Sequence, residues 1–105
     1  MRFGIVQEAY FPPGTTLQQR YLDMVEEAVA AERAGFDVYC TSEQHFGFSE
    51  AYVVERADKH HAQKSGAVSA PESFLAWVGA RTERIRLRPT SVVLLTFNHP
   101  VRVAE

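Results

Sequence analysis

Apolar and polar positions change their spacing block by block along this chain, and the changes come in a regular order. "RFGIVQ" (2–7) is a short apolar run that predicts a first strand. Pro12-Pro13-Gly14 then punctuates a loop, and Thr15 or Thr16 is available to cap a helix. From Leu17 to Ala34 the apolar residues return at helical spacing, through Leu17, Tyr21, Met24, Val25, Ala28, Val29 and Ala31, and Gly35 supplies the C-terminal cap. "FDVYCT" (36–41), rich in β-branched and aromatic residues, predicts a second strand.

No steady period holds from about Ser42 to Ala70. A βα connection usually takes ~2–6 residues, so this segment reads as a long loop after strand two, a lid or a binding loop. Pro71 and Glu72 open a second helix, with proline in the first turn and a carboxylate at the positive end of the dipole. That helix is expected through "ESFLAWVGARTE", with Phe74, Leu75, Trp77 and Val78 as its apolar stripe. "IRLRPTSVVLLT" (85–96) predicts a third strand whose "VVLL" is buried on both faces, and "NHPVRVAE" leads toward a further helix with Pro100 in its first turn.

Strand, helix, strand, helix, strand is the order of parallel strands joined by crossovers. It fits either an open doubly wound sheet or part of a (β/α) barrel, and in both the chemistry gathers at the carboxyl ends of the strands. "TSEQHFGFSE" (41–50) lies at such an end, placing Glu43, Gln44 and His45 in succession before Phe46 and Phe48. Two helices and a stub do not cover three strands that are apolar on both faces. The 105 residues are therefore expected to be one domain's N-terminal portion, a piece of something longer.

Composition narrows the class without naming a reaction. With 46% hydrophobic residues, 23% charged residues and a net charge of −2, the chain reads as soluble and globular, with no bias toward nucleic acid or a membrane surface. No apolar run approaches the ~20 residues of a membrane span, and the N-terminus lacks the pattern of a signal peptide. Cys40 is the single cysteine, which excludes an internal disulfide and fits a reducing, cytoplasmic setting. Inside a strand it reads as a small buried hydrophobe. His60 and His61 with Asp58 lack zinc-site spacing, so no metal is expected.

Three stretches together resemble the bacterial luciferase-like family of flavin-dependent monooxygenases: "MRFGIV", "AERAGFDVYCTSEQHF" and "PESFLAWVGARTERIRLRPTSVVLLTFNHPVRVAE". The resemblance implies an α/β fold, the N-terminal portion of a (β/α)8 TIM barrel with about three parallel strands and intervening helices. It implies a monooxygenase that inserts one oxygen atom of dioxygen into a small organic substrate through a flavin hydroperoxide. Reduced FMN would be the cofactor, supplied by a separate flavin reductase, and the protein would be a homo-oligomer. His45 and Gln44 would face the reaction, and Glu43, Ser91 and Val92 would lie against the flavin, with Ser91-Val92 matching a bond that is often cis in the family.

The match has departures. Gln44 stands where the family carries the first of two histidines, and an amide does not titrate near neutral pH. His45 retains an imidazole suited to proton handling. Read from the residues alone, Glu43 is a structural hydrogen-bond partner. Arg88-Pro89 replaces a small residue and glycine, and Thr96 replaces a proline. Two alternative functions therefore stand beside the first: a non-catalytic truncated or flavin-binding relative acting as an assembly module, and a deazaflavin-dependent oxidoreductase.

Overall fold

The computed structural model describes residues 1–8, 15–43, 68–91, 99 and 101 of the chain. Among them run β1 (Gly4–Gln7), α1 (Leu17–Arg33), β2 (Val38–Ser42), α2 (Pro71–Gly79) and β3 (Arg86–Ser91). The three strands are parallel and lie in the order β1-β2-β3, with Gly4 opposite Val38 and Val38 opposite Arg86.

Both ends of α1 are set by local chemistry. Thr16 is extended (φ −78°, ψ 156°), and its Oγ1 accepts the Gln19 amide at 3.1 Å, satisfying one of the helix's orphan donors. At the other end Gly35 takes φ 89°, a left-handed conformation that costs a residue with a Cβ about 1–2 kcal/mol. The turn there lets the Gly35 amide donate to Glu32 O and the Phe36 amide to Ala31 O, each at 3.0 Å, closing a Schellman motif. Phe36 is thus used in the cap, which is why β2 starts at Val38 and not at residue 36.

The second helix begins as the sequence implies, with Pro71 in the first turn and Glu72 beside it. It stops at Gly79, four residues short of the expected end, because Thr82 turns back and donates its hydroxyl to Val78 O at 2.9 Å. Two stripe positions also differ from expectation. Trp77 is 39% exposed, meeting Phe74 edge-on (centroids 6.5 Å apart), and Leu17 is 48% exposed. In α1 the buried set is instead Arg20, Met24, Val25, Ala28 and Ala31.

Met24, Val25 and Ala28 of α1 and Phe74, Leu75 and Val78 of α2 join Tyr39 and Ile85 in one core, with Ile5 and Leu87 packed against it. Ile5, Tyr39 and Leu87 are register partners, so they point to one face of the sheet, and both helices cover that face. Sequential strand order with both helices on one face is the winding of a (β/α) barrel, and the first three strands of a doubly wound sheet share it, since that sheet reverses only at its fourth strand. Each large core side chain contributes about 1.5–3 kcal/mol by burial.

Proline in a strand needs an explanation. Pro89 lies in β3, which has a neighbour on one side only among the described strands, and it is paired with Thr41 just before a register shift to Ser42 opposite Ser91. An edge position and an irregularity are the two places where a missing N–H is tolerated. Among the described residues no helix is long and apolar enough to cross a membrane.

Candidate active site at the carboxyl ends of the strands

Strand alternation sorts the residues at these ends into two sets. Gln7 and Thr41 continue the helix-facing row of Ile5 and Tyr39. Glu8 and Ser42 continue the opposite row of Val6 and Cys40, the row that faces the interior of a barrel.

The helix-facing set is locked. Thr41, fully buried, donates its hydroxyl to Gln7 O at 3.0 Å across the two strands. The Gln7 amide donates to Glu27 Oε2 of α1. Glu27 in turn receives the Arg20 guanidinium at 2.7 and 3.3 Å. Arg20 is buried by the fold while Glu27 keeps 40% of its side chain exposed. Burial, reinforced by the nearby Glu27 charge, raises the Tyr39 hydroxyl well above the ordinary tyrosine range, with Arg20 opposing; that hydroxyl donates to Met24 O at 3.3 Å. These bonds fix the relative height of β1 and β2 and hence of whatever follows them.

The interior-facing set carries a hydrogen-bonded hydroxyl and carboxylate. Ser42 Oγ donates to Glu8 Oε2 at 2.9 Å, joining the residue just past β1 to the last residue of β2. Ser42 and Glu43 are both buried, at 8% and 6% exposure, and Glu8 is half-buried. A hydroxyl can accept as well as donate hydrogen bonds, and a carboxylate is an acceptor, so the pair offers polar groups of the kind that acid–base chemistry uses.

The sequence-derived candidates fall unevenly on this end. Glu43 stands directly after β2, and Ser91 closes β3 with its Cα opposite that of Ser42, so the fold brings these two positions to one edge. Gln44, His45 and Val92 lie outside the described residues, as does the Ser91-Val92 bond. Glu8 and Ser42 were missed by sequence reasoning. The signal available was position: each is a polar residue at the carboxyl end of an apolar run.

The opposite, amino ends of the strands are held by two carboxylates. Asp37 accepts the Phe3 amide on Oδ2 at 2.8 Å, while its own backbone donates to Phe3 O at 2.8 Å and accepts from Arg86 N at 3.0 Å. Glu32 accepts three successive amides of the turn before β3: Glu83 at 3.0 Å, Arg84 at 2.6 Å and Ile85 at 2.7 Å. The Ile85 and Arg84 amides first, then the Glu83 amide and the Arg84 charge, hold its carboxyl below the usual range, with desolvation opposing.

These two carboxylates give two of the stretches singled out in the sequence a physical meaning, since "AERAGFD" and "ARTERIRL" meet through Glu32 and the Asp37 backbone. The sequence model of the luciferase-like monooxygenase family matches residues 1–105. The chain belongs to the luciferase-like monooxygenase family. Among curated relatives of this family member, a 4-hydroxyprotoasukamycin monooxygenase of Streptomyces nodosus subsp. asukaensis is 46% identical over 60 residues, 57% of this chain and 15% of that protein. The uncharacterized protein y4wF of Sinorhizobium fredii (strain NBRC 101917 / NGR234) is 32% identical over 92 residues, 88% of this chain and 22% of that protein.

Solved structures agree on the fold. The oxygenating constituent of the Pseudomonas putida 3,6-diketocamphane monooxygenase, a type II Baeyer-Villiger enzyme in complex with FMN, superposes with a TM-score of 0.71 at 24% identity, over 99% of this chain and 24% of that one. MsnO8 in its apo form superposes with a TM-score of 0.69 at 25% identity, over 89% of this chain and 23% of that one. The luciferase-like chain thus spans between about a seventh and a quarter of the length of these relatives.

Proposed function

We propose that the chain contributes the first strands of a flavin-dependent monooxygenase site, acting on a small organic substrate at the carboxyl ends of the strands. The observation that carries this reading is the family match over residues 1–105 together with the Ser42–Glu8 pair on the interior-facing row at that end.

The donor set fits part of a flavin. The ring edge of a flavin offers N–H donors, and Glu8, Glu43 and the accepting lone pairs of Ser42 are acceptors suited to them. The flavin phosphate needs cations or amide donors, and Arg20, the charged donor nearest this end on α1, is committed to Glu27. The described residues therefore fit the ring and not the phosphate. A reduced flavin bound there would supply the electrons for activating dioxygen.

What the chain's own residues do is narrower. Thr41, Gln7, Glu27 and Arg20 hold β1 and β2 at fixed height. The Ser42–Glu8 pair contributes a hydroxyl and a carboxylate to the interior-facing edge. Glu43 stands directly after β2 and Ser91 closes β3 at the same end, and the resemblance assigns Gln44, His45 and Val92 to this site as well. Delivery of reduced FMN by a separate reductase and assembly into a homo-oligomer belong to the same reading.

Gln44 favours a second reading, a flavin-binding relative without turnover, because the position cannot exchange a proton. Titrating the purified chain with oxidised and then anaerobically reduced FMN, by flavin fluorescence with light scattering on the same sample, tests both. Saturable binding by a discrete oligomer is the expected result, and oxygenation by the Gln44→His variant alone would favour the second reading. Absence of binding in both redox states would refute the flavin site.

A further inference from the structure

The amino ends of the strands carry a second polar feature, at the opposite pole from the candidate active site. A cavity of about 260 Å³ opens there, lined by Arg2, Arg84 and Arg86 together with Glu32, Asp37 and Phe36. Each basic residue is placed by the fold: Arg2 just before β1, Arg84 in the turn after α2, and Arg86 at the first position of β3, in the row of Gly4 and Val38.

The charges in this cavity do not cancel. Both carboxylates are already engaged by backbone amides, Glu32 with those of residues 83–85 and Asp37 with that of Phe3. Arg84 makes one long contact, from Nη2 to Glu32 O at 3.4 Å. The guanidiniums of Arg2 and Arg86 form no ion pair among the described residues, where ion pairs are those of Arg20 with Glu27 and Arg81 with Glu26. Three guanidiniums and two carboxylates thus border one concavity, leaving it a net positive charge, with both carboxylates already accepting backbone amides, an arrangement that attracts anions.

We propose that this cavity is an anion site for a phosphate or phosphate monoester group. Guanidinium forks match the oxygens of a phosphate in bidentate fashion, and three of them around one cavity favour a dianion over a monovalent carboxylate. Size points the same way. The cavity falls below the 300–1,000 Å³ of sites for drug-sized ligands, so it takes a single small anionic group and not a whole dinucleotide or flavin. The site is independent of the flavin reading, because none of its residues lies at the carboxyl ends of the strands.

Amide chemical shifts of the full 105-residue chain, followed at low salt during titration with inorganic phosphate, glycerol phosphate and acetate, test the assignment. Saturable shifts centred on residues 2, 36–37 and 84–86 are expected with both phosphates, and weaker ones with acetate. Preference for glycerol phosphate over inorganic phosphate would identify an esterified ligand, and equal binding the free anion; both support the site. Arg86→Gln and Arg2→Gln should each weaken phosphate binding at least about tenfold, the loss of one charge-assisted hydrogen bond. Arg86→Lys should recover part of the loss, and Arg81→Gln, which removes a charge outside the cavity, should have little effect. Non-saturable shifts, equal affinity for acetate, or the same loss in Arg81→Gln as in Arg86→Gln would overturn it.

Discussion

Replacing Tyr39 by phenylalanine should weaken the fold slightly at neutral pH and strengthen it in alkali. Tyr39 is fully buried, and its hydroxyl makes a 3.3 Å hydrogen bond to Met24 O, at the long end of the useful range. Removing it leaves the packed ring in place, so the neutral-pH cost is about 0.5 kcal/mol, the low end for a neutral hydrogen bond. Truncation to alanine, by contrast, would empty the core of a whole ring and cost about 3–5 kcal/mol.

The alkaline effect has the opposite sign. The folded state raises the hydroxyl's pKa above its unfolded value of 10.0, so the stability it confers is complete below that value and is lost as pH rises through the folded one. From pH 9 to pH 11 the unfolded tyrosine ionises while the folded one does not, a loss of about 1.4 kcal/mol. Tyr39→Phe escapes that loss, so the two stabilities should cross near pH 10, with the variant ahead by about 1 kcal/mol at pH 11. Tyr21 is also raised by burial, but it is present in both proteins and cancels. Urea denaturation at pH 8, 10 and 11 measures the difference. Parallel stability curves across that range would refute the reasoning.

Glu32→Gln tests the acidic counterpart. Because Glu32 is held below the ordinary carboxylate range, it stabilises the fold above that range, and the effect fades as pH falls through the folded value. The variant should lose stability at pH 7 and show a flatter acid limb below about pH 4.5; an unchanged acid limb by thermal denaturation would sink the assignment. Arg20→Met sets two small effects against each other. It removes a buried Nε that has no partner and frees Glu27, which reaches solvent, so the net change should stay under about 1 kcal/mol. A loss above about 3 kcal/mol in chemical denaturation would show that Glu27 depends on Arg20 entirely.

Period and punctuation were enough to locate β1, α1, β2 and the start of α2, because Thr16, Gly35 and Pro71 act within a few residues of where they stand. They did not reveal which face each helix buries. Trp77 sits on the apolar stripe by spacing, yet α2 is short and meets α1 through Phe74, which leaves the indole at the rim. Arg20 looks like a surface residue in the sequence and is buried with a partner in Glu27, two turns on, which Gln7 of β1 also engages. Glu32 was illegible for another reason: its partners are backbone amides 51 to 53 residues away, and every residue type has an amide. At the candidate site Glu43 and Ser91 were placed by resemblance, whereas Glu8 and Ser42 emerge only when β1 and β2 are set side by side.

The Glu32 bonds also bear on the order in which the chain folds. Closing the 53-residue span to Ile85, compared with the 34-residue span between Phe3 and Asp37, adds only about 0.4 kcal/mol of loop entropy. Chain length therefore does not rank the two events. What ranks them is that Glu32 lies in the last turn of α1, so its oxygens are in position only once that helix is wound. Kinetically, α1 should act as the template and β3 should dock late, with Glu32→Gln speeding unfolding more than it slows folding.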